Sequence, residues 1–213
     1  DVPRVISRWG LEAVADRAAP PLWALLLSLR GSACVYEGEE LGLTEADIPY
    51  ELIQDPYGKA LWPEFKGRDG CRTPIPWNKN APKGGITVGQ PWLPIPEEHL
   101  ARAVDVERGE PDSSFSLCRE FTRWRRTVPA LKTGEISFLP SSDGTLMFSR
   151  TTADGCNDIL ACFNLSDSVF DWTLPDDGWQ PIPVRGFEGM VKGRKVSLKS
   201  YSAAFFARPG STR

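Results

Sequence analysis

The chain has 213 residues, of which 41% are hydrophobic and 25% are charged, and its formal net charge is −3. This composition is typical of a globular protein with one or two domains. The slight negative charge argues against a general nucleic-acid binder and against a protein held on an acidic membrane surface, because both need an excess of basic residues. We therefore expect neither nucleic acid nor membrane among its partners.

The cysteines and the single histidine argue against a zinc site. No two cysteines have metal-ligand spacing, and only His99 could complete a Cys/His set. We therefore expect no metal and no cofactor. Cys34 and Cys162 are each predicted to be small buried hydrophobic residues in strands. An odd number of cysteines without a pairing pattern favours a reducing compartment, so we expect a cytoplasmic protein.

The first third of the chain predicts a helix followed by a buried strand. Apolar residues dominate Leu11–Leu29, and Pro20 and Pro21 within it predict a helix that starts twice or is kinked. Gly31 marks the end of the helix, and the apolar run Ala33–Tyr36 predicts a strand buried on both faces. A helix, a tight turn and a buried strand in this order favour an α/β barrel step.

A long, proline-rich segment follows from about residue 38 to residue 111. A loop of this length within a compact domain is usually functional. Short helical turns are predicted near Thr44–Ile48 and around Glu97–Glu107. Asp112-Ser113-Ser114 then offers an N-cap for an amphipathic helix over Phe115–Thr127, which Pro129 should end.

After Leu131 the pattern changes to short apolar runs separated by turn signals. Their spacing is typical of an antiparallel β domain, and we place the domain boundary near residue 130, between a domain at 1–130 and one at 131–213. The predicted strands are Glu135–Leu139, Leu146–Thr151, Asp158–Asn164, Val169–Thr173, Val196–Leu198 and Ala203–Ala207.

The most informative segment is Lys66–Trp77, Lys-Gly-Arg-Asp-Gly-Cys-Arg-Thr-Pro-Ile-Pro-Trp. Gly67 and Gly70 enclose Arg68, and glycine allows a positive φ or a close approach of the backbone. Two prolines then stiffen the exit of the loop. Such a loop can hold a guanidinium in one place, where it can bind a carboxylate or sugar hydroxyls.

Three segments resemble one branch of a known enzyme family in the same order. Lys66–Trp77 resembles the Gly-Arg-Asp-…-Arg-Thr-Pro-Met-Pro-Trp signature of the alpha-glucosidase and oligo-1,6-glucosidase branch of the alpha-amylase family. Asp1–Gly10 resembles the segment that begins at the Asp of that family's Asn-His-Asp motif, and Leu27–Leu43 resembles its eighth barrel strand. The resemblance extends to the C-terminus but is strong only to about Trp77.

The resemblance implies an α/β fold in two parts. The chain would hold the last part of a (β/α)8 TIM barrel, from the end of strand seven at Asp1 through strand eight at Val35–Glu40. Leu11–Leu29 and Phe115–Thr127 would be the last two outer helices, and an antiparallel β-sandwich would follow. The missing N-terminal part of the barrel is then an expected partner of this chain.

The function implied by the resemblance is retaining hydrolysis, or transfer, of alpha-glucosyl units from the non-reducing end of short alpha-glucosides. The expected partner is therefore an alpha-glucoside or oligosaccharide substrate. In the family the nucleophilic Asp and the acid/base Glu precede the Asp1 motif, so we expect the chain alone to be inactive. Two alternatives stay open: a non-catalytic carbohydrate-binding module, and a same-family sucrose-type isomerase or transglucosidase.

The resemblance also assigns roles to individual residues. Asp1 would be the third carboxylate, which stabilises the transition state, and Arg68 would bind the terminal glucose, paired with an Asp from an early barrel loop. The alternative for Arg68 is that it only braces its loop, the role we assign to Asp69 and Arg72.

Arg4 is a second candidate for substrate binding, because it could orient Asp1 or a sugar hydroxyl. Glu37, Glu39 and Glu40 would be anchors of the loop after strand eight. Neighbouring strand residues point to opposite faces, so Glu39 and Glu40 should not share one ligand. Glu37 departs from the glutamine that is common at this place in the family.

Overall fold

Helices occupy the first two thirds of the chain and strands the last third. The structure is a computed structural model that describes residues 2–153, 155 and 158–208. In these residues the α-helices are α1 (Val5–Arg8), α2 (Ala15–Ser28), α3 (Pro56–Ala60), α4 (Glu97–Ala101), α5 (Val104–Gly109), α6 (Ser114–Thr127) and α7 (Pro129–Thr133). The strands are β1 (Glu135–Phe138), β2 (Thr145–Thr151), β3 (Ile159–Asn164), β4 (Phe170–Thr173), β5 (Gln180–Pro181), β6 (Met190–Lys192), β7 (Lys195–Leu198) and β8 (Ser202–Ala207).

The first predicted helix is confirmed, but the prediction of a strand after it is wrong. A 3₁₀ turn at Glu12–Val14 leads into α2, which contains both Pro20 and Pro21. Ala33–Tyr36 forms no strand, and Cys34 is exposed instead of buried. A strand needs a neighbour that completes its hydrogen-bond ladder, and the described residues pair no strand with this segment.

The long middle segment contains short helical turns, but the first of the two predicted turns is absent from its predicted place. Thr44–Ile48 has no helical turn, so that prediction is wrong. A 3₁₀ turn forms at Glu39–Leu41 instead, because Gly38 and Gly42 on either side adopt left-handed φ values of 85° and 64°. The predicted turns around Glu97–Glu107 are confirmed as α4 and α5.

The amphipathic helix of the sequence is confirmed as α6. Val128 leaves the helical region with φ −108° and ψ 102°, as expected for a residue that precedes proline. Pro129 then begins α7, so it opens a further helix as well as ending the previous one.

Eight strands form two antiparallel sheets in the described residues. The first has the order β1-β2-β3-β8-β5 and the second the order β4-β7-β6. In the first sheet Phe148 lies opposite Ala161, and Ala161 lies opposite Phe205. All six predicted runs are confirmed to within a residue or two. Strands β5 and β6 were not predicted, because they are two and three residues long and too short to show an alternation of apolar and polar residues.

Residues group into two compact units. One comprises the residues up to Ala19 together with Val35–Ser116, and the other comprises Pro20–Cys34 together with the residues from Leu117 onward. The predicted domain boundary near residue 130 stays a prediction.

The second unit has a core on each face of its larger sheet. On one face, Phe148, Phe163 and Phe205 pack with Ala24 of α2 and Phe121 of α6. On the other face, residues of the larger sheet pack with residues of the smaller sheet; among them are Leu160, Cys162, Phe206, Val196 and Leu198. Strand β3 is therefore buried along its whole length, and the predicted burial of Cys162 is confirmed.

Candidate functional site

The glycine-rich loop is shaped by close backbone contacts. Gly67 has a φ of +83°, and a Cβ placed on it would lie 2.9 Å from the Cα of Gly58. A Cβ on Gly70 would lie 2.5 Å from the carbonyl oxygen of Ala46. Both distances are shorter than real Cβ contacts allow, so a larger residue would displace the loop from its neighbours. A 3₁₀ turn at Asp69–Cys71, which includes Gly70, follows Arg68.

Arg68 is held by a carboxylate within this chain. Its Nε and Nη2 atoms donate to Asp55 Oδ2 and Oδ1, each at 2.9 Å, and its backbone N–H donates to Oδ2 at 2.9 Å. The Asp55 side chain is fully buried, whereas 30% of the Arg68 side chain is exposed. The resemblance implied an acidic partner outside this chain, but the structure supplies Asp55.

Asp55 is the site residue that the sequence analysis missed. It caps α3, because its Oδ1 accepts the backbone N–H of Tyr57 at 3.2 Å and Pro56 occupies the first helical position. The dipeptide Asp55-Pro56 was the available signal, but it indicates a helix start and not a partner for Arg68. The same carboxylate therefore orders both the helix and the loop.

Asp55 is ionised over the whole range in which the protein would be assayed. The hydrogen bonds from Arg68 hold the pKa of this carboxyl well below its usual range, and they outweigh the opposite effect of burial. The contribution of this shift to stability is fully present above the unfolded pKa of about 3.9 and is lost as the pH falls below that value.

Asp69 and Arg72 brace the same loop, as the sequence predicted. Asp69 is buried, and its Oδ2 accepts the backbone N–H groups of Gln54 at 2.6 Å and of Asp55 at 2.8 Å. Arg72 Nη1 lies 3.9 Å from Asp69 Oδ1. These contacts fix the backbone that carries Asp55, and through it the position of Arg68.

Arg4 joins the three motifs of the sequence. Its buried guanidinium donates to the backbone oxygens of Glu37 at 3.2 Å, Thr44 at 3.0 Å and Gly70 at 3.2 Å, and to Thr73 Oγ1 at 3.4 Å. It also forms an ion pair with Glu37 Oε1 at 3.4 Å. The predicted contact of Arg4 with Asp1 or a sugar stays a prediction, because Asp1 lies outside the described residues.

The three glutamates near Arg4 lie in a turn and not in a strand. Glu39 and Glu40 belong to the 3₁₀ turn, so the expectation that they point to opposite faces of a strand is wrong. Burial raises the pKa of Glu37 and of Glu40, and the nearby Arg4 opposes this effect at both positions. Glu39 Oε2 accepts the backbone N–H of Tyr36 at 3.4 Å, which fits the predicted role as a loop anchor.

Buried His99 lies against two of the groups that bind Arg4. Its Nε2 is 3.1 Å from the carbonyl oxygen of Thr44, and its Nδ1 is 3.4 Å from Thr73 Oγ1. Burial lowers the pKa of His99 to about 4, and the charge of Arg4 acts in the same direction. The ring is therefore neutral at neutral pH, and it links Thr44 and Thr73 through its two nitrogen atoms.

The lowered pKa of His99 predicts a loss of stability in mild acid. The unfolded state takes up a proton near pH 6.5, whereas the folded state does so only near pH 4, so stability is present above pH 6.5 and falls below it. We expect His99 to account for roughly 2 kcal/mol of lost stability between pH 7 and pH 5. His99→Gln should narrow the difference between the melting temperatures of the full-length protein at these two pH values. An unchanged difference would contradict this assignment.

The described residues contain neither a metal-binding cluster nor a membrane-spanning helix. No group of three or more His, Cys, Asp and Glu side chains there has an arrangement that could hold a metal ion. No helix in the same residues has the length and apolar character needed to cross a membrane.

The family match and the similar proteins point to the same group of enzymes. Residues 1–134 match the family described as "Alpha amylase, catalytic domain". The chain is 43% identical over 210 residues to a probable alpha-glucosidase of Rhizobium meliloti, covering 98% of this chain and 37% of that protein. It is 26% identical over 225 residues to an oligo-1,6-glucosidase of Heyndrickxia coagulans, covering 97% of this chain and 40% of that protein.

Solved structures have the same arrangement. The structure of an alpha-glucosyl transfer enzyme, XgtA, superposes with a TM-score of 0.91 at 42% identity, over 98% of this chain and 38% of that one. An isomaltulose synthase from Erwinia rhapontici superposes with a TM-score of 0.83 at 24% identity, over 97% of this chain and 41% of that one, and indicates the fold alone. The chain thus spans about two fifths of the length of these relatives.

Proposed function

This chain belongs to the alpha-amylase family, and from that premise we propose that it is the C-terminal part of a retaining alpha-glucosidase. The enzyme would release or transfer alpha-glucosyl units from the non-reducing end of short alpha-glucosides. The 43% identity to a probable alpha-glucosidase supports this substrate class. The observation that carries the proposal is the fixed, partly exposed guanidinium of Arg68 within the Gly-Arg-Asp loop.

The geometry around Arg68 suits the binding of a terminal sugar. Asp55 takes one edge of the guanidinium in a two-bond pair, so the side chain loses little freedom when a ligand binds. The exposed part of the group can donate to hydroxyl oxygens. Arg4 would act as a positioning residue, because its bonds tie the segment after Asp1 to the loop that carries Arg68.

We propose the following division of the fold. Residues 1–130 would form the last part of a (β/α)8 barrel, and residues 131–213 a β-sandwich domain. The match to the family ends at residue 134, close to this boundary. The core shared by the two antiparallel sheets supports a sandwich.

Retaining hydrolysis uses two carboxyl groups about 5–5.5 Å apart, one as nucleophile and one as acid/base. By the motif match, both would precede this chain. Asp1 would bind the sugar hydroxyls as the ring distorts, and Arg68 would hold the same glucose. A cytoplasmic location is part of the proposal and is supported by the free thiols of Cys34, Cys71, Cys118 and Cys162.

The test of this function uses the full-length protein. Hydrolysis of an alpha-glucoside, followed by NMR within the first minutes, should show α-glucose before mutarotation. A malto-oligosaccharide labelled at its reducing end should lose glucose from the unlabelled end. First appearance of β-glucose, or release of labelled glucose, would contradict retention or the direction of attack respectively.

Transfer is a second candidate, favoured by one observation. The chain superposes closely on an alpha-glucosyl transfer enzyme at 42% identity. Incubation of the full-length protein with an alpha-glucoside and an alcohol or sugar acceptor separates the cases, because a transferase forms the new glucoside faster than free glucose. A sucrose-type isomerase would convert sucrose without net release, and a binding module would bind sugar without turnover.

We expect residues 1–213, produced alone, not to hydrolyse an alpha-glucoside. The motif match places the nucleophile and the acid/base before Asp1, and a partial barrel would leave strand edges without partners. The measurement is turnover of a chromogenic alpha-glucoside, with the full-length enzyme as positive control. Turnover by the 213-residue chain above that of a heat-inactivated sample would refute this expectation.

A further inference from the structure

Tyr57 presents an exposed aromatic ring beside Arg68. The residue is 61% exposed, and the Arg68 guanidinium carbon lies over its ring, 5.3 Å from the ring centre. We propose that Tyr57 is a specificity-determining residue that binds the second sugar ring of the substrate, next to the glucose held by Arg68. The inference rests on the proposed function and goes beyond it by assigning the residue that reads the leaving group or acceptor.

The position of Tyr57 is fixed by the carboxylate that fixes Arg68. Asp55 accepts the backbone N–H of Tyr57 and the guanidinium of Arg68. Gly58 holds this turn against the loop, since a Cβ on it would lie 2.7 Å from the carbonyl oxygen of Lys66. The ring is thus pre-organised, which lowers the entropy lost when a ligand packs on it.

The chemistry of the pair matches that of a sugar ring. A pyranose has an apolar C–H face and a polar rim of hydroxyl groups. The Arg68 guanidinium lies over one face of the Tyr57 ring, so the exposed remainder of the ring offers the apolar surface, and the guanidinium offers N–H donors at its edge. Binding sites for small molecules commonly combine one aromatic surface with a few placed polar groups in this way.

The second ring is favoured over the first by the difference in exposure. The Arg68 side chain is 30% exposed and is the proposed contact to the terminal glucose, whereas Tyr57 is among the exposed large hydrophobic residues of the chain. In a substrate held by its non-reducing end, the second ring lies on the solvent side of the first. Tyr57 therefore borders the site where that ring, or an acceptor, must lie.

Another tyrosine of the same segment offers a matched control. Tyr50 is 46% exposed, but its ring packs on Trp62 with a centroid distance of 5.6 Å and not on an arginine. A change of Tyr50 should therefore leave the sugar preference as it is.

The experiment compares substrates with one and two rings in the full-length enzyme. Alpha-glucosyl fluoride carries only the terminal glucose, whereas maltose, isomaltose and sucrose carry a second ring. We expect Tyr57→Ala and Tyr57→Leu to lower kcat/KM for the preferred disaccharide about tenfold, mainly through KM. Hydrolysis of alpha-glucosyl fluoride should stay within about twofold of the wild type. Tyr57→Phe, which keeps the ring, and Tyr50→Ala should stay within about twofold on both substrates.

Each other outcome overturns the inference in a distinct way. Equal losses on both substrates would mean that Tyr57 acts through Arg68 and not on the second ring. Unchanged kinetics of Tyr57→Ala, in a protein whose melting temperature shows that it is folded, would mean that the ring touches no substrate. If the wild-type enzyme acts on none of the alpha-glucosides, the proposed function itself is wrong.

Discussion

Replacing Asp1 by asparagine in the full-length enzyme should lower kcat by on the order of a hundredfold or more. The change keeps the size of the side chain and removes the charge that we propose to bind the distorted sugar. An interaction that is strongest in the transition state affects kcat more than KM, so KM should change far less. Steady-state kinetics with a chromogenic alpha-glucoside measure both constants.

A matched carboxylate change provides the control. Asp16 in α2 is exposed and forms an ion pair with Arg102, which follows α4, so Asp16→Asn removes a charge of the same kind elsewhere in the chain. It should leave kcat within about twofold of the wild-type value, because an exposed ion pair contributes little to the stability of the fold. If Asp1→Asn keeps half of the wild-type kcat, Asp1 is not the third carboxylate.

Replacing Arg68 by lysine should lower kcat/KM at least about tenfold. Lysine keeps the charge but loses the planar fork that forms two bonds with Asp55, so the group would no longer be held in place. Arg68→Ala should lose more activity and also stability, because Asp55 would stay buried without this partner.

Thermal melting distinguishes a binding role from a bracing role. Arg72→Lys changes a neighbouring arginine whose Nη1 lies 3.9 Å from Asp69 Oδ1, farther than the 2.9 Å of the bonds between Arg68 and Asp55. It should therefore lower kcat/KM less than Arg68→Lys does. If both Arg68 variants lose stability yet keep wild-type kcat/KM at a temperature where they are folded, Arg68 only braces the loop. The binding role proposed for it would then be withdrawn.

The elements that sequence predicted well depend on local patterns. The β runs after Leu131 and helix α6 were found because periodicity and turn residues lie within a few positions of each other. The strand predicted at Ala33–Tyr36 failed because a strand exists only through its neighbours, and apolar character cannot supply them. For the same reason Cys34 is exposed while Cys162, inside a paired strand, is buried.

The candidate site was predictable in its motif but not in its contacts. The glycines of the loop predicted a constrained arginine, and the structure holds that arginine tightly. Its partner Asp55 stands 13 residues earlier and had a complete local explanation as a helix cap. Arg4 reaches Gly70 across 66 positions, a contact that no short-range pattern encodes.

The strands at the end of the chain cannot be separated from the preceding helices without exposing their core. Helical residues of α2 and α6, among them Ala24 and Phe121, cover the face that Phe148, Phe163 and Phe205 present. A graft of Glu135–Ala207 onto a carrier protein would expose these aromatic side chains, each of which buries about 150–250 Å² when covered. Such a graft would associate or aggregate. Any transplant, tag fusion or gene recombination at this end must therefore carry both helices with the sheet.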